Sequence, residues 1–359
     1  MVKQKMNAGQ GPAEGGVTAS GKCRRVFLGL KTADSSKVRL MRDDRRDRLA
    51  ATLLGTALGD ALGLPCEGLS PRTIARRFGP IDRFRLLGRT GYVSDDTEQS
   101  ALVAQSLAQH PDDVVACVRA FRRALFGWFC RLPWGIGKAT ILSCLRIGAG
   151  ISPSGVRSAG NGAAMRSAIV GVFFRDQPER RRRFARALAE VTHRDSRAID
   201  GSLYVAEVAS VCAVSDENAP TPALLREARI VIQDEQLGRA IDEALAMADA
   251  GRTTDQAAQA CGTSGFVVAT AAFATFCFAR HGDDPLKAVS EVVAAGGDTD
   301  SIAAIAGAWA GARSGLHRLP AALLDRIHDR PFGPSHLRKL AACLDDRARR
   351  RPHPVPGYS

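Results

Sequence analysis

Aromatic side chains make up only 6% of the 359 residues, and hardly any segment alternates apolar and polar positions with period two. Sandwiches and barrels draw on aromatic and β-branched strands, so neither is expected. No C-x-x-C pair occurs among the nine cysteines at positions 23, 66, 117, 130, 144, 212, 261, 277 and 343. Their odd count and scatter speak against a disulfide-stapled secreted module and for thiols kept reduced. No secretory signal opens the chain, and its most apolar stretch, 266–279, falls short of the ~20 residues that span a bilayer. These absences place the chain in the cytoplasm without a membrane partner; delivery into another cell stays open.

A basic body is missing too. The net charge of +13 is uneven: residues 1–50 hold 12 Lys/Arg against 5 Asp/Glu, 341–359 hold 4 against 2, and 51–340 only 34 against 30. A nucleic-acid reader needs a basic face on the fold, and the one dense run, Arg180-Arg181-Arg182-Arg183, reads as a solvated helix face. No specific nucleic-acid partner is expected.

What remains is 45% hydrophobic, 24% charged and rich in alanine, arginine and glycine, a mix suited to closely packed helices around a large core. Residues 1–45, without sustained periodicity, read as a flexible basic tail, and 350–359 as a Pro-rich C-terminal tail. Between them, 46–349 read as one all-α domain, a single compact orthogonal bundle of about a dozen helices. After a first helix ending near Gly63, the periodicity predicts helices at about 97–108, 112–129, 137–148, 162–174, 180–191, 196–214, 222–249, 265–280, 285–294, 300–314, 320–328 and 335–349. The run Ile302-Ala303-Ala304-Ile305-Ala306-Gly307-Ala308-Trp309, small on all faces, predicts a central helix buried on every side.

Two helices open on acidic clusters: Ser94-Asp95-Asp96-Thr97-Glu98 and Gly296-Gly297-Asp298-Thr299-Asp300-Ser301. Capping explains either alone, with Asp95 and Glu98 as a capping box and Asp298 or Thr299 as an N-cap. Together they supply more carboxylates than caps need. Clustered carboxylates repel unless a cation neutralises them, and a site of Asp, hydroxyl and water suits hard Mg²⁺ or Mn²⁺ rather than zinc. Four Asp are about what two such ions need. Glu67, on the turn after Pro65, is either a solvated loop glutamate or a mobile carboxylate for acid–base work. Gly160-Asn161-Gly162 is a common turn that can also cradle a phosphate at a helix start, and His193 could add a donor or be purely structural.

In order and spacing, Gly59 to Gly63 with Glu67, Ser94-Asp95-Asp96-Thr97, Gly137-Lys138-Ala139-Thr140, Gly160 through Arg166, Thr192-His193, and Gly296 through Ser301 with Gly307 and Gly311 resemble the ADP-ribosylglycohydrolase family, the group containing dinitrogenase reductase-activating glycohydrolase. The resemblance covers about 46–330. It implies an all-α bundle with a binuclear metal cleft holding two divalent ions, Mg²⁺ or Mn²⁺, on Ser94, Asp95, Asp96, Asp298, Asp300 and Ser301. It implies catalysis through Glu67, Asp96 and Asp300, and substrate binding by Ser158, Gly160, Asn161, Gly162 and His193. Positions 94 and 301 are serine where members often carry threonine, which keeps the hydroxyl, and Ala159 replaces an aromatic residue of some members. The implied activity is removal of ADP-ribose from an ADP-ribosylated protein, with arginine the expected acceptor and ADP-ribose the product. The alternative it leaves is a catalytically silent protein that binds ADP-ribose to cap modified targets or to block a transferase. A hydrolase of free nucleotide diphosphates would leave Glu67 without a task.

Overall fold

The computed structural model describes residues 35–350, apart from 134 and 217. Among them run sixteen α-helices: α1 (Ser35–Gly63), α2 (Pro71–Phe78), α3 (Asp95–Gln109), α4 (Val114–Phe129), α5 (Lys138–Gly148), α6 (Ala168–Phe173), α7 (Pro178–Glu190) and α8 (Ser196–Val214) in the first half. The second half adds α9 (Thr221–Ala228), α10 (Glu235–Asp249), α11 (Thr254–Cys261), α12 (Val267–His281), α13 (Pro285–Ala294), α14 (Thr299–Ser314), α15 (Ala321–Leu324) and α16 (Pro334–Arg349). Extended pairing among the described residues is confined to three isolated bridges, so the fold is all-α as expected.

α14 is the central helix, and every residue from Thr299 to Ser314 is buried. Its small residues let α1 approach until backbone meets backbone. Gly55, Gly59 and Gly63, four apart on one face of α1, oppose Gly307, Ala303 and Thr299. A Cβ on Gly307 would stand 2.2 Å from the Gly55 carbonyl oxygen, and one on Gly55 would stand 2.1 Å from the Gly307 oxygen. Only glycine fits such a seam. It places the end of α1 beside the first turn of α14, where Thr299 Oγ1 donates to the Gly63 carbonyl at 2.8 Å. By length and composition Asp44–Cys66 could cross a membrane, but 89% of its apolar window is buried within the fold.

Several boundaries differ from the sequence expectation. α1 begins at Ser35, inside the predicted tail, and Asp44 and Arg45 already pair with Arg48, Arg175 and Asp176. The rest of that tail, 1–34, and residues 351–359 lie outside the described residues. The expected helix at 222–249 is two, α9 and α10, broken where Asp200 accepts the N–H groups of Gln233 and Asp234 at 2.8 Å each. α2 and α11 were not expected, and 162–174 holds a 3-10 turn followed by the short α6. The arginine run of α7 is a solvated face only in part, at the exposed Arg182 and Arg183. Arg181 is buried in a two-pronged pair with Glu207, at 2.9 and 2.6 Å, and Arg180 binds Asp112. The eight described cysteines are free thiols, five of them buried; Cys23 lies outside the described residues.

Candidate active site

Asp60 stands fully buried as the one charged residue in the C-terminal half of α1. Its carboxylate accepts the Ser94 N–H at 2.9 Å and, at Oδ2, both the N–H and the hydroxyl of Thr97 at 3.1 and 2.5 Å. A side chain of α1 thereby caps α3, satisfying donors that a helix start leaves orphaned. Burial raises its carboxyl from the usual range to about 6. The Ser94 side chain takes the remaining capping position, accepting from Asp96 N–H.

Capping therefore consumes neither Asp95 nor Asp96. Glu98, the expected partner in a capping box, instead accepts from the Trp128 indole. Asp298 sits at the N-cap of α14 without a capping bond, and its Oδ2 accepts from Asn161 Nδ2 at 2.6 Å. Asp300 takes the Ser301 N–H at 2.9 Å. The Ser94 and Ser301 hydroxyls both donate to Asp96 Oδ2, at 3.3 and 3.2 Å, bridging the two clusters across α3 and α14. Asp96 Oδ1 is buried with no hydrogen-bond partner. An orphaned carboxylate oxygen among carboxylates is costly unless a cation meets it.

Glu67 completes the group, with carboxylate oxygens of Glu67, Asp298 and Asp300 within 4.8 Å of one another. Its loop is tied to the start of α14, because Gly68 N–H donates to Gly297 C=O at 2.8 Å and Gly297 N–H to Leu69 C=O at 3.1 Å. Gly297 makes this clasp at φ +84°, where a Cβ would strike the Thr263 carbonyl. Burial, then the neighbouring carboxylates, pushes Asp300 up to about 9 and Asp95 and Asp96 well above the carboxylate range. Asp298 rises through burial, and Glu67 through burial and then Asp298. Such a set could hold a divalent cation on giving up its protons.

These groups form one end of a cavity of about 560 Å³, which Ser301 also lines; buried Ser94 stands behind Asp96 and does not line it. The adjoining wall carries Ser158, Gly160, Asn161, Gly162 and His193, and Asn161 there touches Asp298 directly. The segment bearing the turn is stitched to both neighbours: Val156 pairs with His193, and Gly160 with Phe266. The turn offers fewer donors than the sequence suggested. Gly160 N–H is taken by Ser158 Oγ at 3.2 Å and Asn161 N–H by Gly265 C=O at 3.0 Å. It also opens a three-residue 3-10 turn, too short to carry a sizeable dipole.

His193 stands beside the turn. Buried Arg166 donates to Thr192 Oγ1 at 2.6 Å, and Thr192 Oγ1 shares a hydrogen bond with His193 Nδ1, 2.8 Å away. In the tautomer whose Nδ1 accepts that bond, the ring proton is on Nε2, facing Gly160. Burial, then Arg166, pushes the ring down to about 3, which keeps it neutral. Arg166 also binds the Gln99 side chain at 2.7 Å, and Gln99 donates to Asp95 Oδ2 at 2.8 Å. A buried hydrogen-bonded line thus joins the carboxylate end to the turn.

The structure brings every sequence-named site residue to this cavity or its buried wall. Sequence reasoning assigned no task to Asp60, Gln99 or Arg166. A lone Asp in an apolar helix and an Arg after Gly-Asn-Gly were the available signals. Lys138 and Thr140 also line the cavity.

Comparison with known proteins agrees with this geometry. The ADP-ribosylglycohydrolase family profile matches residues 41–353. An uncharacterized protein of Archaeoglobus fulgidus is 34% identical over 78% of this chain and 91% of its own length. ADP-ribosyl-[dinitrogen reductase] glycohydrolase of Rhodospirillum rubrum is 32% identical over 41% of this chain and 51% of its own. A solved structure titled ADP-ribosylglycohydrolase-related protein complex superposes with a TM-score of 0.63 at 25% identity, covering 85% of this chain and 99% of that one. With the family's motifs gathered in one cavity of an all-α fold, the chain belongs to the ADP-ribosylglycohydrolase family and is a glycohydrolase that removes ADP-ribose.

Proposed function

We propose that the chain hydrolyses the bond between ADP-ribose and a modified protein side chain, arginine first among acceptors, with two divalent ions, Mg²⁺ or Mn²⁺, acting in the cytoplasm. The observation that carries this reading is the buried, unpartnered Asp96 Oδ1 amid the carboxylates at one end of the cavity. Asp95, Asp96, Asp298 and Asp300, with the Ser94 and Ser301 hydroxyls, fit hard cations in number and chemistry. Bound there, the ions would supply binding of ribose hydroxyls and activation of water.

The chain's own residues account for the remainder. Asn161 orients Asp298 through its amide, and Gln99 orients Asp95. His193 Nε2–H donates to an oxygen of the diphosphate or ribose at the adjoining wall. Water adds to the anomeric carbon of the distal ribose as its bond to the acceptor nitrogen breaks, through an oxocarbenium-like state. The carboxylate floor stabilises the positive charge on the sugar. Glu67, whose raised carboxyl keeps a proton closer to neutral pH, transfers one from the water to the departing nitrogen. An acidic pocket also welcomes a guanidinium, which favours arginine.

The test is release of free ADP-ribose from arginine-, serine- and cysteine-linked substrates with Mg²⁺, Mn²⁺ or chelator. Release from the arginine linkage, lost in chelator and in Asp96→Asn, is expected. Tight ADP-ribose binding with no release from any linkage would replace the enzyme with a binding protein.

A further inference from the structure

Helix α5 presents an unusual outer face beside the cavity. Lys138, Ile141, Leu142 and Leu145 fall within an arc of about 100° at helical spacing, while Ala139, Thr140, Ser143 and Cys144 are buried behind them. A solvent face is ordinarily polar. Here Ile141, Leu142 and Leu145 are 36%, 42% and 56% exposed. Leu132, in the segment leading into α5, is 84% exposed at φ +54°. The apolar face runs directly into the cavity wall, since Lys138 at its head and Gly135 and Gly137 just before it line the cavity. Its border is basic. Arg122 donates to the Ile151 carbonyl and Arg146 to the Gly155 carbonyl, and neither pairs with a carboxylate among the described residues.

We propose that this face of α5, with Leu132, is where the body of the ADP-ribosylated protein docks, and that the partner offers an apolar patch bordered by acidic groups next to its modified side chain. The inference rests on the function proposed above. A side chain that delivers ADP-ribose into the cavity leaves its protein standing at the entrance, and α5 is the apolar part of that entrance. Contact there removes four aliphatic side chains from water, Leu132 included, and the arginines and Lys138 meet complementary charge and steer the approach.

The test uses proteins of the source organism's lysate, radiolabelled on arginine by an arginine-specific ADP-ribosyltransferase, and tryptic peptides of the same material. Full-length wild type is compared with Leu142→Asp and Leu145→Asp at subsaturating substrate, and all three are checked by sedimentation. Wild type should release ADP-ribose several-fold faster from folded proteins than from peptides. Each variant should lose about tenfold on folded proteins and less than twofold on peptides, and the wild-type preference for folded proteins over peptides should shrink at high salt. Equal rates on folded proteins for variants and wild type overturn the proposal, as does an equal loss on peptides. A wild-type dimer that the variants dissociate assigns the face to a second copy and overturns it as well. No release by wild type from peptides or proteins instead refutes the underlying function.

Discussion

Asp300→Asn should stabilise the metal-free protein at alkaline pH while destroying turnover. Asp300 is buried between Asp298, Glu67 and the end of α1, and its carboxyl is raised from 3.8 to about 9. Between those values the folded chain holds a proton that the unfolded chain has released, so stability falls as pH rises through this window. At ~1.4 kcal/mol per pH unit, the penalty by pH 8 reaches at most about 6 kcal/mol, and by pH 5 less than about 2 kcal/mol. Asparagine removes the titration and still offers an oxygen to the Ser301 N–H. Relaxation around the site leaves a few kcal/mol of that gain, or roughly 3–5 °C in Tm at pH 8 for a chain of this size. Thermal unfolding in chelator at pH 5, 6.5 and 8 reads the effect directly. The gap between variant and wild type should close toward pH 5, and Mn²⁺ should raise the Tm of wild type far more than that of the variant. A variant no more stable than wild type at pH 8 in chelator, or a gap independent of pH, would refute the account of mutually opposed buried carboxylates.

Gly307→Ala pushes a methyl to within 2.2 Å of the Gly55 carbonyl and should cost about 1–3 kcal/mol or more in urea unfolding; an unchanged midpoint would show that the seam yields freely. Glu67→Gln should lower kcat on the order of 10²-fold with little change in KM, and a normal kcat would remove Glu67 from proton transfer. His193→Gln should raise KM about tenfold while leaving the limbs of the pH profile between 5 and 8 in place, because a ring held near 3 is neutral throughout; disappearance of a limb near 6.5 would contradict this. Deletion of residues 1–42 keeps Asp44 and Arg45 with their partners and should leave hydrolysis of a small ADP-ribosylated peptide within about twofold; loss of activity would show that the segment, which includes the first turns of α1, supports the site.

The sequence made some of this legible because the information was local. α14 declared its burial by having small residues on every face, and the acidic clusters declared themselves by offering more carboxylates than helix caps use. What stayed hidden depends on contacts between distant segments. The break between α9 and α10 has no proline or glycine to mark it, because Asp200 of α8 supplies the interruption. The cap of α3 comes from Asp60, thirty-four residues upstream of Ser94. Arg166 gains its role only when Gln99 and Thr192 meet it from two other helices' ends. The start of α1 was missed for the opposite reason: residues 35–46 lack an apolar stripe, yet contain no glycine or proline to stop a helix already nucleated downstream.

Most helix interfaces breathe, because side chains between the two rods can exchange one rotamer for another as temperature or pressure changes. Along Gly55, Gly59, Gly307 and Gly311 there are no rotamers to exchange. α1 and α14 therefore behave as one beam, and the distance from Asp60 to the first turn of α14 is about as inelastic as the peptide units in contact. The carboxylate end of the cavity becomes an anvil that stays put while substrates come and go. Any change of shape during entry or release must be borne by the adjoining wall, the segment entering α5 and the turn at Gly160.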